Sequence, residues 1–482
     1  MNTQYHERNI SMVMDMYELT MSNGYLNQGF KDTWVAFDVF YRNNPDNGGF
    51  AIFAGLQQVV EYIENLHFSE EDVEYLRSKR LFTEEFLEYL LHFRFRGDIY
   101  AMKEGTVMYP NEPVMTVVAP LIDAQLIETT ILLEINHQSL IATKTNRIVQ
   151  AANGKPVSDF GARRAHNVDA AVYGARAAYI GGAAGTATVL AGKMFHIPIS
   201  GTMAHSWVMT FDSEYDAFKA YAESYPDGTV LLVDTYDVLK SGVPNAIRTA
   251  REVLEPMGKK LIGIRLDSGD LAYLSKEARK MLDEAGLSDC MIVASNSLDE
   301  YTISSLNRQG AKIDSYGVGE RLITSSSTPV FGAVYKLVAI QKDGKFIPKI
   351  KISETAEKIT NPGIKEVYRV YDENGKAVAD YLAVKGEQIR DFDPVRYVDP
   401  VNYWKNRSFV GCRFKKLQVP VFEKGKRIYD LPDIEEIRQY VKDQLENEIW
   451  EEEQRFENAH THYLDMSPAM FELKMSLLHE EN

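Results

Sequence analysis

Between residues 157 and 324 six short apolar runs each end in polar or glycine-rich residues: VSDFGARR (157–164), IPISGTMAHS (197–206), VLLVDTYD (230–237), LIGIRLDSGD (261–270), MIVASNSLDE (291–300) and IDSYGVGERLIT (313–324). Helical patterns separate them. Runs this uniformly apolar read as strands covered on both faces, the pattern of a parallel sheet built from βα units. Ligands in such folds bind beyond the carboxyl ends of the strands, so the polar residues gather where chemistry is expected. The number of chemically loaded strand ends favours an α/β barrel; a doubly wound open sheet is the rival topology.

The flanking segments follow other rules. Residues 11–26 read as a helix carrying Tyr17, followed by the strand-like VAFDVFYR, and Ser69 with Asp72, then Thr83, open two amphipathic helices by capping. Residues 99–120 turn β-like. This organisation predicts an N-terminal α/β domain over 1–137 and a barrel domain over 138–482. The second would carry a β-hairpin insertion at about 330–385, signalled by QKDGKF and DENGKA, and C-terminal helices. Asp433 and Glu436 form a cap there, and Ile434, Ile437, Val441, Leu445 and Ile449 share one helical face. A chain of 482 residues has room for both domains.

Charge excludes some partners. A net charge of −16 without any run of lysine and arginine speaks against a nucleic-acid surface, while small phosphates can still bind locally. Cys290 and Cys412 are the two cysteines, and the first twenty residues lack an apolar leader core, so a cytoplasmic protein without a disulfide framework is expected. Residues 165–197 are rich in Ala and Gly, but Arg176 and Lys193 interrupt them and no membrane span is read there.

Several strand ends carry candidate chemistry. GTATVLAGKM (185–194) fails as a phosphate-binding loop, because Ala187 stands where the first glycine belongs and Met194 where the hydroxyl belongs; close helix packing explains its small residues. Gly317 and Gly319 follow a strand and either let backbone N–H groups converge on a phosphate or form a plain tight turn. Arg265, Asp267, Ser268 and Asp270 sit together after another strand. There the arginine fork suits a carboxylate or phosphate and the aspartate a ribose hydroxyl or hydrated Mg²⁺; the bland alternative is a solvated turn with an internal ion pair. Asp234 and Asp237 hold the same kind of position. Phe160 beside Arg163 and Arg164 suits a planar anion, although either arginine could serve a structural ion pair. His205, in GTMAHSW, ends a strand with little bulk around it, and so is either a packed core histidine or a presented one. His166, His460 and His462 lack that placement and read as surface histidines.

Taken together, DFGARRAH, AYIGGAAGTATVLAGKMFHIPISGTMAHSW, RLDSGDL and GVGERLITSSSTPVFGAVYKLV resemble nicotinate phosphoribosyltransferases of the type II phosphoribosyltransferase group, from MDMYELTM onward over most of the chain. The resemblance implies an irregular TIM-like barrel with a smaller N-terminal α/β domain. It also implies a homodimer that joins nicotinate to 5-phosphoribosyl 1-pyrophosphate with ATP as co-substrate. By the same resemblance His205 is the histidine phosphorylated from ATP. Phe160 and the partner subunit's Tyr17 stack the pyridine ring; Arg265, Arg163 and Thr202 contact nicotinate or the adjoining phosphoribosyl group. Asp267 holds the ribose hydroxyls, Ser295, Asn296, Gly317 and Gly319 cradle the 5-phosphate, and Mg²⁺ rides on the pyrophosphate. Where many relatives carry a small hydroxyl or amide residue after GVG, this chain has Glu320, so backbone contact is expected there. A nicotinamide-specific transferase of the same fold is the nearest rival. A phosphate-binding isomerase or aldolase lacks its strand-end lysine or glutamate here, and intact His205, Arg265 and Asp267 speak against an inactive scaffold.

Overall fold

Residues 8–355 and 358–480 are described by the computed structural model; the first seven residues of the N-terminal stretch lie outside it. The chain divides into two units, residues 141–329 and residues 1–140 with 330–482.

Residues 141–329 hold the parallel sheet, an α/β arrangement. Its strands are Val157–Asp159, Gly185–Thr186, Val230–Leu232, Gly263–Leu266, Met291–Ser295 and Ser315–Val318. Across the sheet they run in the order 185–186, 157–159, 315–318, 291–295, 263–266, 230–232, and every neighbouring pair is parallel. A further parallel bridge joins Thr186 to Ile199. The ladder thus has two ends, at 185–186 and at 230–232, instead of the closed ring of a complete barrel. Leu231, Leu232, Ile264, Leu266, Ile292, Ala294, Tyr316 and Val318 are buried, as strands covered on both faces require. Helices Leu271–Glu284 and Glu300–Arg308 start where Asp270 accepts the Tyr273 N–H at 3.0 Å and Asp299 the Thr302 N–H at 2.7 Å. Asp270 is therefore a cap. A Cβ on Gly192 would lie 2.3 Å from the Ile199 side chain, which is the close packing that GTATVLAGKM allows.

The other unit is built on antiparallel pairing between the two ends of the chain. A seven-stranded sheet runs 345–348, 334–342, 34–40, 115–120, 98–102, 418–423, 426–427. The 34–40 strand is paired on one side by 115–120 and on the other by 334–342. The C-terminal segment therefore belongs with the N-terminal one, and not with the parallel sheet as the sequence reading grouped it. The expected hairpin insertion is two hairpins in two sheets: 334–342 with 345–348 here, and 365–371 with 377–384 in a six-stranded sheet completed by 395–398, 406–409, 413–416 and 464–466. The Ser69, Thr83 and Asp433 caps all form, and Ile437, Val441 and Ile449 are buried, although the helix at Ile434–Asp443 gives way to a wider turn over Gln444–Glu448.

A buried charge network ties this unit together. Arg369 donates from Nε and Nη2 to the two oxygens of Asp380 at 2.9 and 2.8 Å, and from Nη2 to the Val107 carbonyl at 2.7 Å. His462, expected at the surface, is buried: its Nδ1 lies 3.0 Å from Glu453 Oε1, its Nε2 3.5 Å from Asp380 Oδ1, and its ring stacks on Tyr109 at 3.7 Å. Burial disfavours the imidazolium, but Asp380 and Glu453 outweigh it and raise the His462 pKa above its ordinary value. Removing one member of such a network leaves a charge stranded in a low dielectric. Asp380→Ala is expected to destabilise the chain by about 3–5 kcal/mol, read as a lowered midpoint in denaturant unfolding, whereas exposed Asp289→Ala should leave the midpoint unmoved.

Candidate functional site

The strand ends of the parallel sheet bring together most of the residues singled out in the sequence, and Asp234 ties two of these ends to each other. Its side chain is 1% exposed. One oxygen, Oδ2, accepts the Asp267 backbone N–H at 3.0 Å and the Ser268 hydroxyl at 2.6 Å, which locks the loop after 263–266 to the end of 230–232. The other, Oδ1, is buried without a hydrogen-bond partner. Such an oxygen is costly unless something charged or protic meets it.

His205 faces it. The imidazole begins helix His205–Thr210 and is 40% exposed, so the residue is presented and not packed. Nδ1 lies 3.1 Å from the Thr235 hydroxyl. Nε2 lies 3.9 Å from Asp234 Oδ1 and 3.8 Å from Asp267 Oδ2. In the tautomer whose Nδ1–H donates to Thr235, Nε2 carries the lone pair a nitrogen nucleophile needs; in the other, the hydroxyl donates to Nδ1 and an Nε2–H faces the two carboxylates. Asp267 in turn accepts the Ser295 hydroxyl through Oδ1. Thr235 was missed in the sequence; its one signal is adjacency to Asp234 at a strand end. Asp237, by contrast, caps its own turn through the Leu239 and Lys240 N–H groups.

A cationic side lies beside these carboxylates. Arg265 Nη2 donates to the Met203 carbonyl at 3.0 Å, joining the segment that carries Thr202 and His205 to the 263–266 strand. Its Nε is buried and has no hydrogen-bond partner. Burial lowers the Arg265 pKa, Asp267 and Asp234 raise it, and Arg163 lowers it further. Arg163 is exposed on the turn Ala162–Arg164. An anion placed here would meet two guanidinium groups and satisfy the orphan Nε.

The glycines divide in their roles. Ser295 and Gly317 are register partners on adjacent strands, so the ends that carry Ser295, Asn296, Gly317 and Gly319 lie side by side. A Cβ on Gly317 would come within 2.4 Å of the Phe160 ring; this glycine makes the seat for the aromatic. At Gly319 the closest approach would be 3.2 Å, to the Phe160 carbonyl. Asn296 and Ser297 adopt φ of 82° and 52°, which turns the chain sharply at the strand end. Glu320 Oε2 lies 3.7 Å from Arg164 Nε, both largely exposed. Tyr17 belongs to the other unit, on helix Met16–Asn27, where it is 42% exposed, and burial together with Glu128 raises the pKa of its hydroxyl. Among the described residues no cluster of three His, Cys, Asp or Glu could hold a metal ion, and no helix is long and apolar enough to cross a membrane.

Comparison with known proteins accounts for nearly the whole chain. Residues 12–136 match the nicotinate phosphoribosyltransferase (NAPRTase) N-terminal domain, residues 156–374 the nicotinate phosphoribosyltransferase (NAPRTase) family, and residues 364–474 the nicotinate phosphoribosyltransferase C-terminal domain. A nicotinate phosphoribosyltransferase of Bacillus subtilis is 46% identical over 477 residues, covering 99% of this chain and 96% of that protein. One from Dictyostelium discoideum is 36% identical over 517 residues, covering 96% and 87%. The crystal structure of human nicotinic acid phosphoribosyltransferase superposes with a TM-score of 0.86 at 27% identity, over 96% of this chain and 99% of that one.

The strand-end lock is open to direct measurement. Asp234→Ala should release the loop at 267–268, and hydrogen exchange at the Asp267 amide should rise by roughly 10- to 100-fold, the worth of a hydrogen bond to a charged group. Unchanged protection there would show that the loop is held by other means.

Proposed function

The chain belongs to the nicotinate phosphoribosyltransferase family, and from that premise we propose that the strand-end site joins nicotinate to 5-phosphoribosyl 1-pyrophosphate, with ATP consumed through a phosphohistidine at His205. The enzyme is a phosphoribosyltransferase of NAD synthesis. One observation carries the assignment of the site: Arg265, half-buried on the 263–266 strand with a buried, unpaired Nε, is tied through the Met203 carbonyl to the segment whose His205 imidazole lies within 4 Å of the Asp234 and Asp267 carboxylates. The arginine asks for an acid-bearing substrate and the imidazole for a group to transfer.

In this reading the nicotinate carboxylate meets Arg265, with Arg163 and Thr202 beside it, and the pyridine ring lies on Phe160, whose seat exists because residue 317 has no side chain. A carboxamide would leave the guanidinium charge unmatched, which favours nicotinate over nicotinamide. The 5-phosphate lies at the paired ends carrying Ser295, Asn296, Gly317 and Gly319, and Asp267 takes the ribose hydroxyls. The pyridine nitrogen attacks the anomeric carbon as its bond to the pyrophosphate oxygen breaks, yielding nicotinate mononucleotide and pyrophosphate. Little proton transfer is needed, so positioning and charge stabilisation supply the catalysis.

His205 serves the coupled reaction. Nε2 attacks the γ-phosphorus of ATP, ADP leaves, and water later takes the phosphoryl group as inorganic phosphate. Thr235 orients the ring through Nδ1. A phosphoryl group on Nε2 would face Asp234 and Asp267, a like-charge arrangement that calls for a cation. A hydrated Mg²⁺ would be held by Asp234, whose orphan Oδ1 fits it, with Asp267 beside it, and would supply charge neutralisation. The parallel sheet is read as the wall of an irregular TIM-like barrel, extended by the Thr186–Ile199 bridge. A homodimer, in which the partner subunit's Tyr17 covers the other face of the pyridine, is supported by Met16, Tyr17 and Met21 standing exposed on one helix. Two free thiols suit the cytoplasm.

Two experiments test the assignment. His205→Ala should lose ATP stimulation and the acid-labile phosphate seen by mass spectrometry after incubation with ATP, yet keep slow ATP-independent transfer; equal loss of both activities would refute a separate role for the imidazole. Arg265→Gln should lower kcat/KM for nicotinate by roughly 10- to 100-fold, the loss of a charge-assisted bond, and change turnover of nicotinamide far less. Equal effects on the two substrates would remove Arg265 from the carboxylate.

A further inference from the structure

The transfer site leaves unexplained a second cavity that lies wholly within the unit formed by residues 1–140 and 330–482. Its volume is about 850 Å³, within the range of sites that enclose small molecules. The mouth is wet: Val401 and Tyr463 are 78% and 47% exposed. The floor is dry, made by the ion-paired Asp38 and Lys365 with Tyr109 and His462. Phe471, Lys474, Met475 and Leu478 line it from one helix, Pro468–Glu480, at the spacing that puts them on a common face.

The charges around this cavity do not balance. Asp38 is paired with Lys365 and also accepts the Thr116 hydroxyl at 2.8 Å. His462 stands between Glu453 and Asp380. Burial works against ionisation of Asp399, but the N–H groups of Asn402 and Val401 hold its carboxyl below the usual range. Burial and neighbouring Asp399 push Asp465 up to about 7, so it carries only part of a negative charge at neutrality. Lys405 is exposed near the mouth. Lys474 is different: its ammonium donates to Asn361 Oδ1 at 2.9 Å, and no carboxylate among the described residues pairs with it. Burial and the nearby Lys365 pull it down to about 8, so it still carries its charge at pH 7. Asn361 meanwhile spends its own N–H on the Asn111 carbonyl at 3.3 Å. A half-buried ammonium with unused donors, set in an apolar wall, is costly unless an anion arrives.

We propose that this cavity is a second ligand site, which takes a small organic monocarboxylate whose acid group pairs with Lys474 and whose apolar body lies along Phe471 and Met475. A monoanion fits better than a phosphate dianion, because Lys474 is the one half-buried ammonium without a carboxylate that faces the space, Lys405 standing exposed at the mouth, and Asp38, Asp399 and Asp465 border it.

The probe is 2-naphthoate, titrated by its fluorescence into the full-length enzyme with saturating nicotinate present to occupy the transfer site. Saturable binding of one molecule per chain is expected. Lys474→Met should weaken it at least tenfold while leaving kcat/KM for nicotinate unchanged, Lys474→Arg should retain it, and neutral 2-naphthol should bind more weakly than the acid. If Lys474→Met fails to fold, Tyr463→Asp, which sets a carboxylate at the exposed mouth, should weaken binding in the same way. Absence of saturable binding, or equal affinity in wild type and the folded variant, would overturn the proposal.

Discussion

A single carboxylate with two unlike oxygens organises the strand-end site. Asp234 spends Oδ2 on the Asp267 backbone and the Ser268 hydroxyl, and turns Oδ1, unpaired, toward the histidine. Because Leu232 and Arg265 are register partners, the two loops start level with each other, and one short side chain can span them. Asp267 then has its own carboxylate free to take the Ser295 hydroxyl and to approach His205. Arg265, on the same strand, anchors the histidine segment from the other direction through the Met203 carbonyl. The geometry of four chain segments thus follows from parallel register plus a few short polar links.

The parallel unit was legible in the sequence because burial on both faces imposes a local signature: a short apolar run, then polar residues where the sheet ends. Capping was legible for the same reason, since Ser69, Thr83 and Asp433 act within three residues of their own helices. The membership of residues 330–482 was not. The strand at 334–342 pairs with the one at 34–40, and nothing within either segment specifies a partner so far away in the chain. A sequence read in windows assigns such a strand to its neighbours, which here is the wrong unit. Barrel closure is invisible for a related reason: it depends on whether two terminal strands meet, and the ladder observed ends at 185–186 and 230–232.

At the site, His205, Arg265 and Asp267 stood out because each follows or ends a strand, where side chains are forced toward the open rim. Gly317 was legible as a glycine but not in its task; the contact that forbids a Cβ is with Phe160, which comes from another strand end. Thr235 carried too ordinary a chemistry to be noticed without the imidazole beside it. His462 misled in the opposite direction. Its neighbours in AHTHYLD are polar, as at a surface, and only Asp380 and Glu453, brought in by the fold, make a buried imidazole tolerable.

The strand order also bears on how the polypeptide comes off the ribosome. Residues 141–329 are continuous in the chain, so the parallel sheet can assemble as soon as they have emerged, while translation continues. The seven-stranded sheet cannot: its 98–102 strand waits for 418–423, and its 34–40 strand for 334–342. Through most of synthesis the N-terminal segment therefore carries exposed sheet edges, and the nascent chain is most vulnerable to aggregation in the part made first.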